Sequence, residues 1–440
     1  MAEAAEKSSS LVRTIGRWSL TALMINSIVG AGVFGLPSQV AKRLRGYSPL
    51  AGLLAGAGML AIAACIAEVS SRYDETGGVY LYAREAFGRF VGILAAWLTW
   101  LTRIAAPAAA ANLFVTYAAQ FYPPLQDFWP RFCVLGLLIG HLAVVNHVGV
   151  KQGNLVSNLF TAVKVGFLLF FVAAGIAALI WRPELRIPPA YPETTGGDWL
   201  RAILLMVYAY GGFEGALFVG GETRDPRRDT PVALLLALAV VALIYTAVQY
   251  VVVWTLPGAT DSARPLADSA RAFLGSGGAA LMALAALVST YGYLSANILH
   301  APRITYALGK QRDFPGLLAR VHPRFRTPYV SIWVYAVLLF VFAALGTFAW
   351  NAVLSAVARL FVYGAMALAV IWLRKKKGAP EAGFRLRAPY FFAASGVAFA
   401  VIVLLQMGRS EFYIVCGTLA VGVVNWLLAR NSAVDEATAR

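Results

Sequence analysis

Residues 27–37, SIVGAGVFGLP, place glycines and a proline in the middle of the apolar segment 19–41. Their GAGVFG core, residues 30–35, fits the G-x-G-x-x-G pattern of dinucleotide-binding folds. That pattern requires a preceding strand and an acidic residue about 20 positions further on. Here an apolar run precedes the glycines, and the apolar stretch GLLAGAG occupies residues 52–58. We therefore exclude a dinucleotide site, and the sequence indicates no cofactor.

The composition is that of a polytopic membrane protein. Of the 440 residues, 60% are hydrophobic and 13% are charged, whereas soluble domains contain about 45–50% apolar and about 25% charged residues. A membrane-spanning helix needs about 20 apolar residues, and we identify about twelve such segments. In chain order they cover residues 17–43, 48–70, 87–119, 131–149, 154–181, 198–221, 231–256, 271–307, 328–347, 350–373, 388–408 and 411–429. We expect an all-α fold embedded in the lipid bilayer.

The net charge of +16 sets the predicted topology. Lysines and arginines concentrate in the loops on the side of the two termini, for example in the run Arg374–Lys377, as the positive-inside rule expects of cytoplasmic loops. The tails 1–16 and 430–440 are therefore predicted to be cytoplasmic, and residues 1–16 lack the apolar core of a cleavable signal. We place the chain in the cytoplasmic (inner) membrane and expect no nucleic-acid partner.

The reactive side chains do not form a catalytic or metal-binding set. The 3 cysteines and 4 histidines lack the spacing of a disulfide framework or a metal site. The sequence shows no Ser–His or His–Asp set at membrane depth and no phosphate-binding G-x-x-x-x-G-K-S/T loop. These observations argue against an enzyme and against transport driven by ATP hydrolysis on this chain.

The glycines of the first segment allow two interpretations. Small residues let membrane helices pack closely, whereas glycine and proline also interrupt helices. Irregular backbone survives at membrane depth only where it lines a cavity or is buried in protein. An interrupted helix would expose N–H groups that hold an anion and carbonyl groups that hold a cation. A zwitterionic amino acid carries both charges.

A second glycine cluster favours the interruption. The sixth segment contains LRAILLMVYAYGGFEGALFVGGE at residues 200–222, with Gly211, Gly212 and Gly215 inside an apolar run. Interrupted helices at matching places in two halves of a chain are typical of transporters with inverted repeats and a binding site at the membrane midplane. We therefore expect the first and sixth segments to be broken.

Four stretches resemble the amino acid–polyamine–organocation (APC) superfamily of transporters. SIVGAGVFGLP resembles its first helix, and YAYGGFEGALFVGGETRDPRRDTP, residues 208–231, resembles its sixth. AEVSSRYDETGGVYLYAREAFG, residues 67–88, is similar to its second-to-third connection, although Asp74 stands where proline is usual. LSANILHAPRITYALGKQRDFP, residues 294–315, is similar to the exit of its eighth helix.

The resemblance implies a fold and a function. The fold is the LeuT-type 5+5 inverted repeat, with its halves at 17–181 and 198–373, plus two extra helices at 388–429. The function is Na⁺-independent secondary transport of amino acids by alternating access, coupled to protons or to exchange. The alternatives are a polyamine or organocation transporter and a non-transporting amino acid sensor. The sequence does not indicate whether an ancillary subunit is required.

The resemblance also assigns a substrate site. The α-carboxylate would meet the N–H groups that follow Gly30, those of Ala31, Gly32 and Val33. The α-ammonium group would meet carbonyls of the two breaks, near Ile28 on the first segment and at Tyr208, Ala209 and Gly211 on the sixth. Tyr208 stands where the family has a gating aromatic residue. The substrate side chain would point toward the third, eighth and tenth segments.

Lys164 lies in the middle of the fifth segment. A lysine at the bilayer centre costs about 2.5–3.5 kcal/mol, so it usually faces a cavity or a partner. By resemblance it replaces the Na⁺ ion of sodium-coupled relatives, and it is either a proton carrier or a static tether. Its expected partners are carbonyls around Ile25, Asn26 and Val29, and groups near Ser289 and Thr290.

Three further charged residues lie inside predicted segments. Arg103 is either a structural ion-pair partner, which we favour, or a contact for an acidic group on the substrate. Arg359 is expected beside an extracellular gate. Glu214 either recognises a cationic side chain or, as we favour, is stabilised by the N-terminus of a half-helix.

Overall fold

The computed structural model describes residues 15–73, 78–149, 154–215, 217, 223–256 and 259–438, with side chains from Lys164 in the fifth segment and up to Ala429 in the twelfth. Its helices are α1 Arg17–Ile28, α2 Gly32–Leu44, α3 Ser48–Ser70, α4 Gly78–Phe87, α5 Arg89–Ala118, α6 Phe128–Val148, α7 Asn154–Trp181, α8 Gly196–Tyr210, α9 Pro226–Thr255, α10 Pro265–Lys310, α11 Tyr329–Leu345, α12 Phe348–Lys375, α13 Pro389–Leu404 and α14 Arg409–Thr438. The chain is a multi-pass helical membrane protein, as predicted.

Each predicted segment contains a helix, but not every helix has the full spanning length. Among the described residues, 8 helical stretches are long and apolar enough to cross a membrane. The others are shorter because the first and sixth segments are divided and because α11 and α13 have 17 and 16 residues. The 10-residue helix α4 was not predicted, since it is too short to form an apolar segment.

The eighth segment departs most from its predicted bounds. Its helix α10 begins at Pro265 rather than at residue 271 and is 46 residues long. Proline favours the first turn of a helix, and Gly275, with φ of +71°, separates this first stretch from the rest of α10. The predicted segment starts later because the apolar run begins only after the first turns of α10.

Both predicted breaks are present. α1 ends at Ile28, Val29 is extended, and α2 begins at Gly32. Pro37 lies inside α2, so the glycines and not the proline mark this interruption. α8 ends at Tyr210, followed by an extended Gly211 and by Gly212 with φ of +117°, a conformation that favours glycine.

The helices form two groups that meet at the breaks. In one group α9 packs against α1 and α3, and α8 packs against α2 and α3. In the other group α5 packs against α10, α11 and α12. The run Ala108–Ala111 of α5 is fully buried, which fits the close packing that small residues permit in membranes. α12 also contacts α3 and α8, so it links the two groups.

Candidate functional site

The two broken segments touch each other at their breaks. A side-chain carbon built on Gly32 would lie 2.8 Å from Cα of Ala209, so a larger residue would collide with α8. A carbon built on Gly212 would collide with the carbonyl oxygen of Ser27. Glycine therefore serves here for close packing as well as for interruption, and both interpretations of the sequence apply.

The start of α2 presents backbone donors at the first break. α2 begins at Gly32, and the first N–H groups of a helix have no partner within that helix. The helix dipole adds a partial positive charge at the same place. Ala31 and Val33, two of the predicted anion-binding positions, are buried beside these donors. This arrangement suits a carboxylate group.

Tyr245 of α9 joins the carbonyl ends of the two broken helices. Its hydroxyl oxygen lies 3.1 Å from the carbonyl oxygen of Ile28 and 3.3 Å from that of Ala209. A hydroxyl has one hydrogen to donate, so the two carbonyls keep capacity for another donor. Sequence reasoning missed this residue, because nothing distinguishes one tyrosine of an apolar helix from the other tyrosines.

A small cavity adjoins the breaks beside α9. It is lined by residues of α2, α8 and α9: Gly32, Val33, Leu36, Pro37, Met206, Ala209, Tyr245, Val248 and Gln249. The amide of Gln249 donates to the carbonyl of Pro37 at 3.0 Å and to the hydroxyl of Ser48 at 2.9 Å. Three predicted substrate positions, Gly32, Val33 and Ala209, therefore line the cavity. The amide group of Gln249 in its wall already has hydrogen-bond partners in the protein.

Tyr208, the predicted gate residue, ties the second break to α5 and α12. Its hydroxyl donates to the carbonyl of Ala106 over 3.3 Å, and its ring meets that of Phe348 edge-on, with 6.0 Å between the ring centres. On the same side, the Tyr117 hydroxyl donates to the carbonyl of Phe34 at 2.8 Å. These bonds join α8 and α2 to α5 on the predicted extracellular side of the breaks.

Lys164 reaches the end of α1. Its Nζ donates to the carbonyl oxygen of Asn26 at 2.6 Å, and the side chain is buried. Of the other expected partners, the Ile25 carbonyl accepts the N–H of Val29. Thr290 donates to a carbonyl of its own helix, and the buried Ser289 hydroxyl has no hydrogen-bond partner within the described parts of the chain.

Glu214 and Arg359 form a buried ion pair at the second break. Arg359 Nε lies 3.0 Å from one carboxylate oxygen of Glu214. The other oxygen accepts the N–H of Gly212 and the hydroxyl of Tyr363, each at 2.8 Å. Arg359, expected beside an extracellular gate, thus lies at the level of the break. Sequence reasoning missed Tyr363, which gave no signal in its apolar segment.

Arg103 and Tyr293 complete this side of the breaks. The backbone carbonyl of Arg103 accepts the Tyr335 hydroxyl at 2.7 Å, and its guanidinium is close enough to Glu214 and Tyr293 to interact electrostatically. The Tyr293 ring covers Gly30, where an added side-chain carbon would lie 3.3 Å from it. Arg103, expected either as an ion-pair partner or as a substrate contact, therefore lies within electrostatic reach of Glu214.

Comparisons with known proteins agree with this geometry. The family model described as "Amino acid permease" matches residues 15–426. The methylthioribose transporter of Bacillus subtilis (strain 168) is 28% identical over 87% of this chain and 86% of its own length. The serine/threonine exchanger SteT of the same organism is 30% identical over 74% of this chain and 75% of its own. The branched-chain amino acid permease BcaP, also of Bacillus subtilis (strain 168), is 23% identical over 95% of this chain and 93% of its own length.

Proposed function

The chain belongs to the amino acid permease family, and from this premise we propose that it moves amino acids across the cytoplasmic membrane by alternating access, independently of Na⁺. Its relatives are transporters, so it is a transporter and not an enzyme. In this proposal residues 17–181 and 198–373 form the inverted repeats, residues 388–429 form the two extra helices, and both tails are cytoplasmic. Coupling is to protons or to exchange.

The observation that carries the proposal is the meeting of the two breaks. The donors at the start of α2 and the carbonyls of Ile28 and Ala209 lie at one place, because Gly32 packs directly against Ala209. An α-carboxylate fits the donors and an α-ammonium group fits the carbonyls. A zwitterion satisfies both sets at once, whereas a simple anion or cation satisfies one.

Polyamines are a weaker candidate class. They have no carboxylate for the donors of α2, and they would need acidic groups in the site. Glu214 is the acidic residue at the described breaks, and its oxygens already accept three hydrogen bonds. A non-transporting sensor is the other alternative, and no observation here favours it.

Independence from Na⁺ is supported by the contact of Lys164. The ammonium group donates to the carbonyl oxygen of Asn26 at 2.6 Å, so a lysine side chain takes the place of a bound cation at this carbonyl. Lys164→Ala removes a hydrogen bond to a charged group, worth about 1.5–3 kcal/mol, and we expect uptake to fall at least about tenfold at every pH. A proton carrier predicts in addition that the pH dependence of uptake disappears. The exposed Lys377 offers the control Lys377→Ala.

Uptake by purified protein in liposomes tests the whole proposal. The standard amino acids and a polyamine such as putrescine would be supplied with and without a pH gradient, in the absence of Na⁺. We expect uptake or exchange of at least one amino acid and none of the polyamine. Strict dependence on Na⁺, or normal uptake by Lys164→Ala at every pH, would contradict the role given to Lys164.

A further inference from the structure

The breaks are bordered by charged and aromatic side chains from three other helices. Tyr293 of α10 covers Gly30, and the guanidinium of Arg359 in α12 lies directly against Gly211. The guanidinium of Arg103 in α5 is within electrostatic reach of Tyr293 and Glu214. We call Arg103, Glu214, Tyr293 and Arg359 the charged cluster. The cluster contacts glycines of both breaks, because Tyr293 lies against Gly30 and Arg359 against Gly211.

The charged cluster contains more positive than negative charge. Each arginine carries a guanidinium that stays protonated in proteins, and Glu214 supplies the one carboxylate of the cluster. The side of the breaks that faces α9 carries no charged side chain among the residues that line the cavity there. There Tyr245 and Gln249 bond to backbone carbonyls, and the cavity wall is otherwise apolar. Charge selectivity therefore depends on the cluster.

Three of the about four acceptor sites of the Glu214 carboxylate are already occupied, which leaves little room for a cationic substrate group. Arg359 Nε, the Tyr363 hydroxyl and the Gly212 N–H all donate to its carboxylate. Arg359 has capacity to spare. Its Nη1 is buried and has no hydrogen-bond partner among the residues that the structure describes, and the whole residue is only 4% exposed. A buried donor without a partner is unfavourable, and this one lies beside the break at Gly211.

We propose that the charged cluster is the side-chain subsite of this transporter and that it selects amino acids with an anionic side chain, aspartate and glutamate. The inference rests on the proposed function and specifies its substrate class. The side-chain carboxylate accepts from Nη1 of Arg359, and the positive charge of Arg103 attracts it. A cationic side chain is repelled by the one excess positive charge of the cluster, which adds discrimination against lysine and arginine.

The test compares uptake of glutamate, aspartate, leucine and lysine in proteoliposomes. We expect the wild-type protein to prefer glutamate to lysine by at least about tenfold, and Arg103→Gln to lower that ratio by about tenfold. The double variant Glu214→Gln/Arg359→Gln removes both charges of the pair together, so neither partner is left charged without the other, and it should lower glutamate uptake similarly. Arg228→Gln, an exposed arginine outside the site, should keep the wild-type ratio. Thermal unfolding in detergent checks that each variant is folded.

Two results would overturn the subsite. One is a wild-type protein that carries neutral or cationic amino acids in preference to glutamate. The other is a folded Arg103→Gln variant with an unchanged ratio of glutamate to lysine uptake. Either result leaves the proposed function intact. By contrast, a wild-type protein that carries none of the standard amino acids would overturn the proposed function itself.

Discussion

The two breaks look alike in sequence but differ in what holds them. At the first break, the polar side chains on the carbonyls of α1 come from other helices, Lys164 from α7 and Tyr245 from α9. At the second break, the segment supplies its own carboxylate, because Glu214 accepts the N–H of Gly212. Arg359 then fixes this carboxylate to α12.

This difference indicates a division of roles between the breaks. The second break is anchored to α12 by the buried ion pair of Glu214 and Arg359, and the Glu214 carboxylate also accepts the N–H of Gly212. The first break has no acidic residue of its own, so the donors at the start of α2 remain suited to a ligand. The second break therefore acts as the fixed wall and the first as the main binding surface, and the following predictions test that assignment.

Removing the anchor should have the largest effect. Glu214→Ala leaves Arg359 buried and without its ion-pair partner, and breaking a buried pair in this way typically costs about 3–5 kcal/mol. We expect a clear fall in the unfolding temperature of the detergent-solubilised protein and loss of uptake.

A matched variant at the surface distinguishes the loss of a buried ion pair from the loss of an exposed one. Glu381 pairs with Arg385, but its side chain is 90% exposed, and exposed pairs contribute about 0–1 kcal/mol. Glu381→Ala should therefore unfold close to the wild-type temperature. Equal unfolding temperatures for Glu214→Ala and the wild type would show that the ion pair with Arg359 does not stabilise the second break.

Filling the contact between the breaks should have an intermediate effect. In Gly32→Ala the added carbon would lie 2.8 Å from the Cα of Ala209, and overpacking of this kind costs about 1–3 kcal/mol. The breaks would have to separate, so we expect reduced uptake as well as reduced stability. Gly277→Ala in α10 is the control, because nothing lies within 4 Å of a carbon added there. It should be neutral or slightly stabilising, since alanine favours helix over glycine by about 0.5–1 kcal/mol.

The breaks could be predicted because they violate a pattern. Glycines in a long apolar run cost helix stability without adding apolar surface, and two such runs at matching places in the chain identify the site. Lys164 stood out for a similar reason, since a charge at mid-membrane requires a partner. The position of its Asn26 contact followed from the resemblance, not from the residues alone.

The partners across helices could not be predicted. Glu214 and Arg359 are far apart in the chain, and their pairing depends on the rotation of α12 about its axis, which an apolar segment of 28 residues does not specify. Tyr245, Tyr293 and Tyr363 were missed because apolar membrane helices tolerate aromatic residues on any face. The start of α10 was missed because its first turns precede the apolar run.

The smallest expected effect concerns the hydroxyl that links the two breaks. Tyr245→Phe keeps the ring and its packing, so any change reports on the bonds to the carbonyls of Ile28 and Ala209. Loss of a hydrogen bond of this kind costs about 0.5–1.5 kcal/mol, and we expect KM for the transported amino acid to rise by up to about tenfold. Tyr250→Phe, on the exposed face of the same helix, should leave KM unchanged. A lower KM in Tyr245→Phe would mean that the hydroxyl competes with the substrate ammonium group for the two carbonyls instead of aligning them. In that case a substrate would have to displace the Tyr245 hydroxyl from the carbonyl of Ile28 before it could bind at the first break.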